Sequence, residues 1–150
     1  MASSKRRKPK RETPKPKAVK PKPPSERVAP TEVTVERAKG TRSKGGGDGG
    51  EAWHICHSGE KVGDVYINLI DEPPLGPHAS IQIYLNRRNQ GLGIGRVGYR
   101  LASEASRYDT IYAHMRKANV ASRRAAEEAG YVDASPSGFT QLIMRWDRKK

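Results

Sequence analysis

The segment from Arg87 to Ala105 places Gly91, Gly93 and Gly95 at the start of what its apolar spacing predicts to be a helix. A glycine inside a helix costs about 1 kcal/mol relative to alanine, so three glycines at alternate positions indicate a backbone that another group must approach closely. Successive backbone N–H groups at a helix N-terminus bind anions, and glycines leave them accessible. The segment therefore predicts a site for a phosphate or diphosphate.

Other interpretations of these glycines are weaker. Gly93, Gly95 and Gly98 match the G-x-G-x-x-G spacing of dinucleotide-binding turns, but four polar residues separate them from the preceding predicted strand. The next predicted strand ends in His-Met-Arg, where an acidic ribose ligand would be expected. No Gly-Lys-Ser/Thr follows, which excludes a P-loop. A glycine-rich connection packed tightly under a sheet is the structural alternative.

Histidines lie on either side of this glycine segment. His78 precedes the strand that leads to the glycines, and an imidazole titrates in the range that suits a general base. The alternative for His78 is a solvated loop residue, and for His114 an ordinary sheet residue. His54, Cys56 and His57 offer metal-binding atoms, but strand alternation separates His57 from the other two and no second ligand pair follows. The sequence therefore predicts no metal site.

Strands and helices alternate along the part of the chain that must position these residues. Residues 52–70 predict a hairpin with its turn at 58–63, and the proline- and glycine-rich residues 71–78 predict a loop. The remaining predicted elements are a strand at 79–85, a helix at 95–108, a strand at 110–115, a helix running to Ala129 and a strand at 138–146. Asn119 is the expected N-cap of the second helix, and Gly130 is the expected left-handed residue that ends it. This order predicts an α/β (α+β) domain with a mixed central sheet and one short βαβ crossover.

Two motifs fall on these elements. Residues 90–95, QGLGIG, read as Q-x-x-G-x-G between a strand and a helix, and Asn119 to Ser122 is followed after seven residues by Gly130-Tyr131. Together they resemble the acetyl-CoA-binding motifs of the GNAT (Gcn5-related N-acetyltransferase) superfamily over residues 53–146, and the second motif is most similar to the ribosomal-protein N-terminal acetyltransferases. The expected cofactor-binding residues are Gln90, Gly91, Leu92, Gly93, Ile94, Gly95, Asn119 and Ser122.

This resemblance implies acetyl-CoA as the cofactor and transfer of its acetyl group to an amine by direct attack. The pyrophosphate would lie on residues 90–95, the pantetheine arm near Asn119, and the 3′-phosphate within reach of Arg123 and Arg124. Tyr84 is a candidate donor to the departing thiolate, with packing in the core as its alternative, and His78 is the candidate base.

Two departures from the family pattern affect the acceptor side. Many members carry a thiolate-protonating tyrosine four residues before the Gly-aromatic pair, where this chain has Ala126. Members usually also have a strand and two helices before the first hairpin, where this chain has a basic segment. We expect apolar surface to be exposed on the sheet, and a homo-oligomer or partner chain to complete the acceptor site. The alternative function is a catalytically silent GNAT-fold module held on nucleic acid.

Positive charge is concentrated at the N-terminal end of the chain. Residues 1–50 carry 15 Lys and Arg against 5 acids, and residues 51–150 carry 14 against 11. Lysine alternating with proline, without aromatic residues, predicts a disordered arm with a flexible hinge at Gly45 to Gly50, so that the folded unit begins near Trp53. Such an arm contacts phosphates without reading bases, which predicts sequence-neutral nucleic-acid binding. The alternatives are a solubility tail or an arm that is itself acetylated.

The remaining features concern the compartment. Cys56 is the single cysteine, which favours a reducing environment. No apolar run approaches the roughly 20 residues of a membrane span, and no signal-peptide core follows the basic N-terminus. We therefore expect a soluble cytoplasmic protein with no membrane partner, or a nuclear one if the source is eukaryotic, since KRRKPKR matches a nuclear localisation signal.

Overall fold

The computed structural model of the protein describes residues 27–149, in which seven strands form one mixed sheet. The elements in chain order are β1 (Val33–Ala38), β2 (Glu51–His57), β3 (Glu60–Glu72), β4 (Gly76–Leu85), α1 (Ile94–Ala105), β5 (Thr110–Arg116), α2 (Val120–Glu128), β6 (Val132–Asp133) and β7 (Gln141–Asp147). The strand order is β1-β2-β3-β4-β5-β7-β6, with β4 and β5 parallel and the other neighbours antiparallel. The predicted mixed sheet and its β4–α1–β5 crossover are confirmed.

Residues 27–50 belong to this folded unit. Every residue of β1 pairs with β2, and Val33 is buried. Gly45 has a φ of 80°, where a side chain would clash with the Glu51 carbonyl, and its N–H donates to Asn68 Oδ1 at 2.8 Å. The predicted disordered arm and glycine hinge are therefore wrong for residues 27–50, because these glycines form a tight turn against the sheet. The rest of the predicted arm, residues 1–26, lies outside the described residues.

The β3–β4 hairpin is longer than its composition predicts. Its ladder continues to the pair Glu72 and Gly76, so only residues 73–75 connect the strands. The predicted loop over residues 71–78 is wrong at both ends, because cross-strand pairing outweighs the local preference of proline and glycine. Pro73 and Pro74 lie in the turn, and Pro77 lies near the start of β4, where a strand tolerates proline.

Both helices pack on the same face of the sheet. The apolar side of α1, which includes Ile94, Val97 and Ala102, covers the core, and α2 packs against α1 and β5 through Ala126. In the part of the chain that the structure describes, no helix covers the opposite face, which we call the open face. Most of its side chains are polar or aromatic, including Tyr66, Gln82, Tyr84, Tyr112 and His114, and the aliphatic Ile143 and Val132 of the β7 and β6 edge also lie on it. The expected exposed apolar surface is limited on this face to separate side chains, chiefly Tyr84 and Val132, each 62% exposed.

Candidate active site

The glycine segment forms a tight loop that opens directly into α1. Gly91 and Gly93 have φ values of 77° and 78°, a left-handed backbone that favours glycine. Gly93 is the N-cap of α1, and no side chain caps the helix there. The side-chain amide of Gln90 donates to the Leu85 carbonyl at 3.2 Å, which ties the loop to the end of β4. The first amides of α1 are thus presented without a capping side chain.

The other predicted loop residues divide into backbone and packing roles. Ile94 is fully buried and Leu92 packs against the core, so neither side chain faces a ligand. A Cβ on Gly95 would lie 3.6 Å from Ala125 Cβ, an ordinary contact. A Cβ on Gly98 would lie only 2.9 Å from the Cδ1 atoms of Ile55 and Ile83. Tight packing therefore explains Gly98, but it does not explain Gly95.

A slot opens between the parallel strands β4 and β5. Ser80 and Tyr112 are the one pair that these strands share in the described residues. Beyond that pair, β4 continues to Leu85 and β5 to Arg116 without pairing to each other. Buried backbone polar groups need partners, so these facing edges suit a ligand that carries amide groups. Helices α1 and α2 both begin at the end where the slot opens, since each follows one of its strands.

The first turn of α2 packs against the middle of α1, and the start of α1 lies against the later half of α2. Asn119 is its N-cap, as predicted, and its Oδ1 accepts from the Ser122 N–H at 3.2 Å. The Ser122 hydroxyl lies 3.0 Å from the Tyr99 hydroxyl of α1, and burial raises the pKa of Tyr99. Ser122 lies one helical turn before the fully buried Ala126, so Tyr99 brings a phenol to the helix that lacks the expected tyrosine.

Tyr99 was not a candidate in the sequence. It falls on the apolar side of α1, where its ring packs against Tyr131 with centroids 5.7 Å apart. The sequence feature that could have pointed to Tyr99 is its place on the apolar side of α1, because a buried tyrosine hydroxyl requires a hydrogen-bond partner. Which partner it finds depends on the packing of α1 against α2, which no local pattern specifies.

The two predicted catalytic residues have different environments. His78 is buried, and its imidazole bonds to the Gly76 carbonyl and to His114. It is not the solvated loop residue that its proline-rich surroundings suggested. Tyr84 lies on the open face near the end of β4 and is 62% exposed, so it does not pack in the core.

Basic side chains surround the glycine loop. Arg96 Nε donates to the Gly93 carbonyl at 3.1 Å, and the Val28 N–H donates to the Leu92 carbonyl at 3.0 Å. Arg27 crosses the loop beside Gly93 and pairs with Glu128 at 3.1 Å. Arg123, a candidate for the 3′-phosphate, pairs with Glu127 on the same helix, whereas Arg124 is exposed. The loop therefore lies in a positively charged surrounding that suits a polyanionic ligand.

The histidines of β2 do not converge on a metal site. His54 Nδ1 lies 2.9 Å from Asp64 on β3, and His57 Nε2 lies 3.2 Å from Glu32. Within residues 27–149, no group of three His, Cys, Asp or Glu side chains is arranged to hold a metal ion.

Solved structures resemble this fold. RimJ from Mycobacterium smegmatis, in complex with CoA-disulfide, is 20% identical over 65% of this chain and 53% of its own, with a TM-score of 0.53. An acetyltransferase of the GNAT family from Streptococcus agalactiae is 13% identical over 66% of each chain, with a TM-score of 0.56. The protein has the GNAT fold. YncA, a putative acetyltransferase from Salmonella typhimurium with its cofactor acetyl-CoA, shares this fold at 20% identity over 66% of this chain and 65% of its own, with a TM-score of 0.53.

The GNAT fold is shown here by structure rather than by sequence. No protein-family model matches the chain, and no curated protein does. The region matched in RimJ is about half of that protein's length. Among residues 27–149, no helix is long and apolar enough to cross a membrane.

Proposed function

We propose that the protein is an acetyl-CoA-dependent N-acetyltransferase. The observation that carries this proposal is the uncapped start of α1, where two left-handed glycines open a basic loop at the end of the β4–β5 slot. The free backbone amides at the start of α1 would bind a diphosphate. The unpaired edges of β4 and β5 would hydrogen-bond the amide groups of a pantetheine chain. The GNAT fold supports this proposal, because its solved examples include complexes with CoA and acetyl-CoA.

The residues present fit the cofactor in two places. The backbone of residues 90–95 would hold the pyrophosphate, with Gln90 fixing the loop rather than touching the ligand. Asn119 and Ser122 would meet the pantetheine arm where α2 begins. Arg27, Arg96 and Arg124 would contribute positive charge near the phosphates, which strengthens binding most at low salt.

In the proposed reaction, the thioester would lie in the slot between β4 and β5, and the acceptor would reach it from the open face of the sheet. Bound acetyl-CoA supplies an activated thioester. Backbone N–H groups along the unpaired edge of β4 would polarise its carbonyl, as preorganised donors do in acyl transfer. The acceptor amine would approach from the open face, because α1 and α2 cover the other one. Tyr84 and Gln82 would contact the acceptor there, and a second copy or a partner chain would complete the wall.

Incubating the purified full chain with acetyl-CoA tests this function. We expect calorimetry to show CoA binding, and intact-mass spectrometry to show acetyl transfer in 42-Da steps, about the mass of one acetyl group for a hydrogen, to poly-L-lysine or to the chain's own lysines. Binding without transfer would favour the catalytically silent module. A folded protein that binds no CoA at millimolar concentration would refute the acetyltransferase function.

We further propose that residues 1–26 bind nucleic acid without sequence preference. They carry ten Lys and Arg against two acids. The full chain should bind random duplexes with affinity that falls by a log–log slope of about −0.9 per phosphate neutralised, and removing residues 1–26 should abolish binding. Electrophoretic or anisotropy titrations at several salt concentrations would measure this slope. Undiminished binding by the truncated chain would contradict the proposal.

A further inference from the structure

His78 and His114 form a hydrogen-bonded pair across the junction of β4 and β5. Their Nε2 atoms lie 2.8 Å apart, close to the Ser80–Tyr112 register from which the strands diverge. The His78 ring also meets the Tyr112 ring edge-on, with centroids 5.3 Å apart. His78 is buried and His114 is half-buried on the open face, so the pair extends from the sheet to the side open to an acceptor.

The tautomer of each ring follows from the hydrogen bonds. His78 Nδ1 lies 2.7 Å from the Gly76 carbonyl oxygen, which can only accept, so Nδ1 carries a proton. A neutral His78 therefore has no proton on Nε2. His114 must then donate from its own Nε2 to close the 2.8 Å contact. The nitrogen left unprotonated on His114 is Nδ1, which can take up a proton.

We propose that His114 is the general base that removes the proton from the acceptor amine, and that His78 is the positioning residue that holds it in the Nε2–H tautomer. This assignment rests on the proposed acetyltransferase function. It moves the base from His78, whose two nitrogens are both engaged, to a residue on β5, one of the two strands that form the slot. His114 lies on the part of β5 that no longer pairs with β4.

The proton and electron balance is complete without another reactant. The amine lone pair forms the N–C bond to the acyl carbon, and the C–S bond breaks with its electron pair on the CoA sulfur. The proton lost by the amine nitrogen moves to His114 Nδ1. The resulting imidazolium still donates from Nε2 to His78, so its charge is hydrogen-bonded, and the proton then passes to solvent.

The surroundings of His114 keep it in the basic form. Burial, followed by the nearby His78, lowers the pKa of His114, and the Glu72 carboxylate of β3 opposes that shift. Other charged groups on this face are Arg116, two residues after His114 on β5, the His54–Asp64 pair of β2 and β3, and Arg145 and Asp147 of β7, where Arg145 contacts the Tyr112 hydroxyl at 3.3 Å. His114 should therefore be neutral down to a pH below the ordinary histidine value of about 6.5.

Four variants of the full chain distinguish the role of His114 as general base from the role of His78 as positioning residue. The assays use acetyl-CoA and poly-L-lysine as the substrates. His114→Gln should lower kcat by about 100- to 10,000-fold, remove the acid limb of the pH profile and leave the Kd for CoA unchanged. His78→Gln places an acceptor oxygen near the position of Nε2 and should stay within about tenfold of wild type. His78→Leu cannot accept and should lose most of the activity. The control is His57→Gln, which alters a surface histidine and should change nothing.

Nitrogen-15 spectra of the histidine rings provide a readout that does not depend on turnover. Wild type should show His114 as the Nε2–H tautomer, titrating below 6.5, and His78→Leu should disturb that tautomer while His78→Gln preserves it. A His114 protonated on Nδ1 at neutral pH, or His114→Gln with wild-type kcat and pH profile, would overturn the assignment. Failure of wild type to bind CoA would instead refute the proposed function, so the two failures are distinguishable.

Discussion

Replacing Gly93 with aspartate should weaken CoA binding by about 100- to 1,000-fold while the fold is kept. An added carboxylate would meet the diphosphate at the start of α1, where two unit charges 4 Å apart repel by about 4 kcal/mol at an effective dielectric constant of 20. Aspartate tolerates a left-handed backbone better than most residues and carries the sign that a helix N-terminus prefers, so the loss of stability at the φ of 78° should be small compared with the loss of binding. Calorimetric titration with CoA and a thermal melt would measure the two effects.

The matched control is Gly93→Asn, which has nearly the same shape, also tolerates the left-handed backbone and lacks the charge. Its Cβ would come 3.2 Å from Arg27 and Arg96 side-chain atoms, and such flexible groups can move aside. We expect Gly93→Asn to bind CoA more weakly than wild type but clearly better than Gly93→Asp. Alanine is a poor probe, because the φ of 78° strains it. Equal CoA binding by wild type and a folded Gly93→Asp variant would show that the phosphate site lies elsewhere.

Deleting residues 1–50 should destabilise the fold by at least about 3 kcal/mol, a fall in Tm of more than about 10 °C. The deletion removes β1 and with it the buried Val33, and it makes β2 a sheet edge. It also removes Arg37, which lies 5.2 Å over the Trp53 ring and pairs with the buried Glu51 at 3.3 Å. Thermal and urea unfolding would measure the loss.

The matched truncation removes residues 1–26 only. It keeps the Val28 N–H bond to Leu92 and all of β1, so its Tm should stay within a few degrees of the full chain. Comparing the two truncations separates the effect on stability of removing the basic residues 1–26 from the effect of removing residues 27–50, which include β1. Two truncations with the same Tm would mean that β1 contributes nothing to stability, against the burial of Val33.

The sequence by itself determined the features whose causes lie within a few residues. The strand before the glycines, the helix after them, Asn119 as N-cap and Gly130 as a left-handed terminator all follow from local periodicity, capping and backbone preference. For the same reason the glycine loop that we propose to bind the pyrophosphate could be located from residues 90–95 alone. Composition wrongly predicted disorder over residues 27–50 and a loop over residues 71–78. Glycine and proline indicate turns, but they do not determine whether the flanking residues pair into a sheet.

Only the tertiary structure shows which residues from distant segments come into contact around the slot. His78 and His114 are 36 residues apart, and they meet because β4 and β5 become parallel neighbours through a crossover. Tyr99 and Ser122 meet because α1 packs against α2. The divergence of β4 from β5 is likewise a property of the whole sheet. Strand registers and helix contacts between distant segments depend on how the entire core packs, and no local pattern in either segment carries that information.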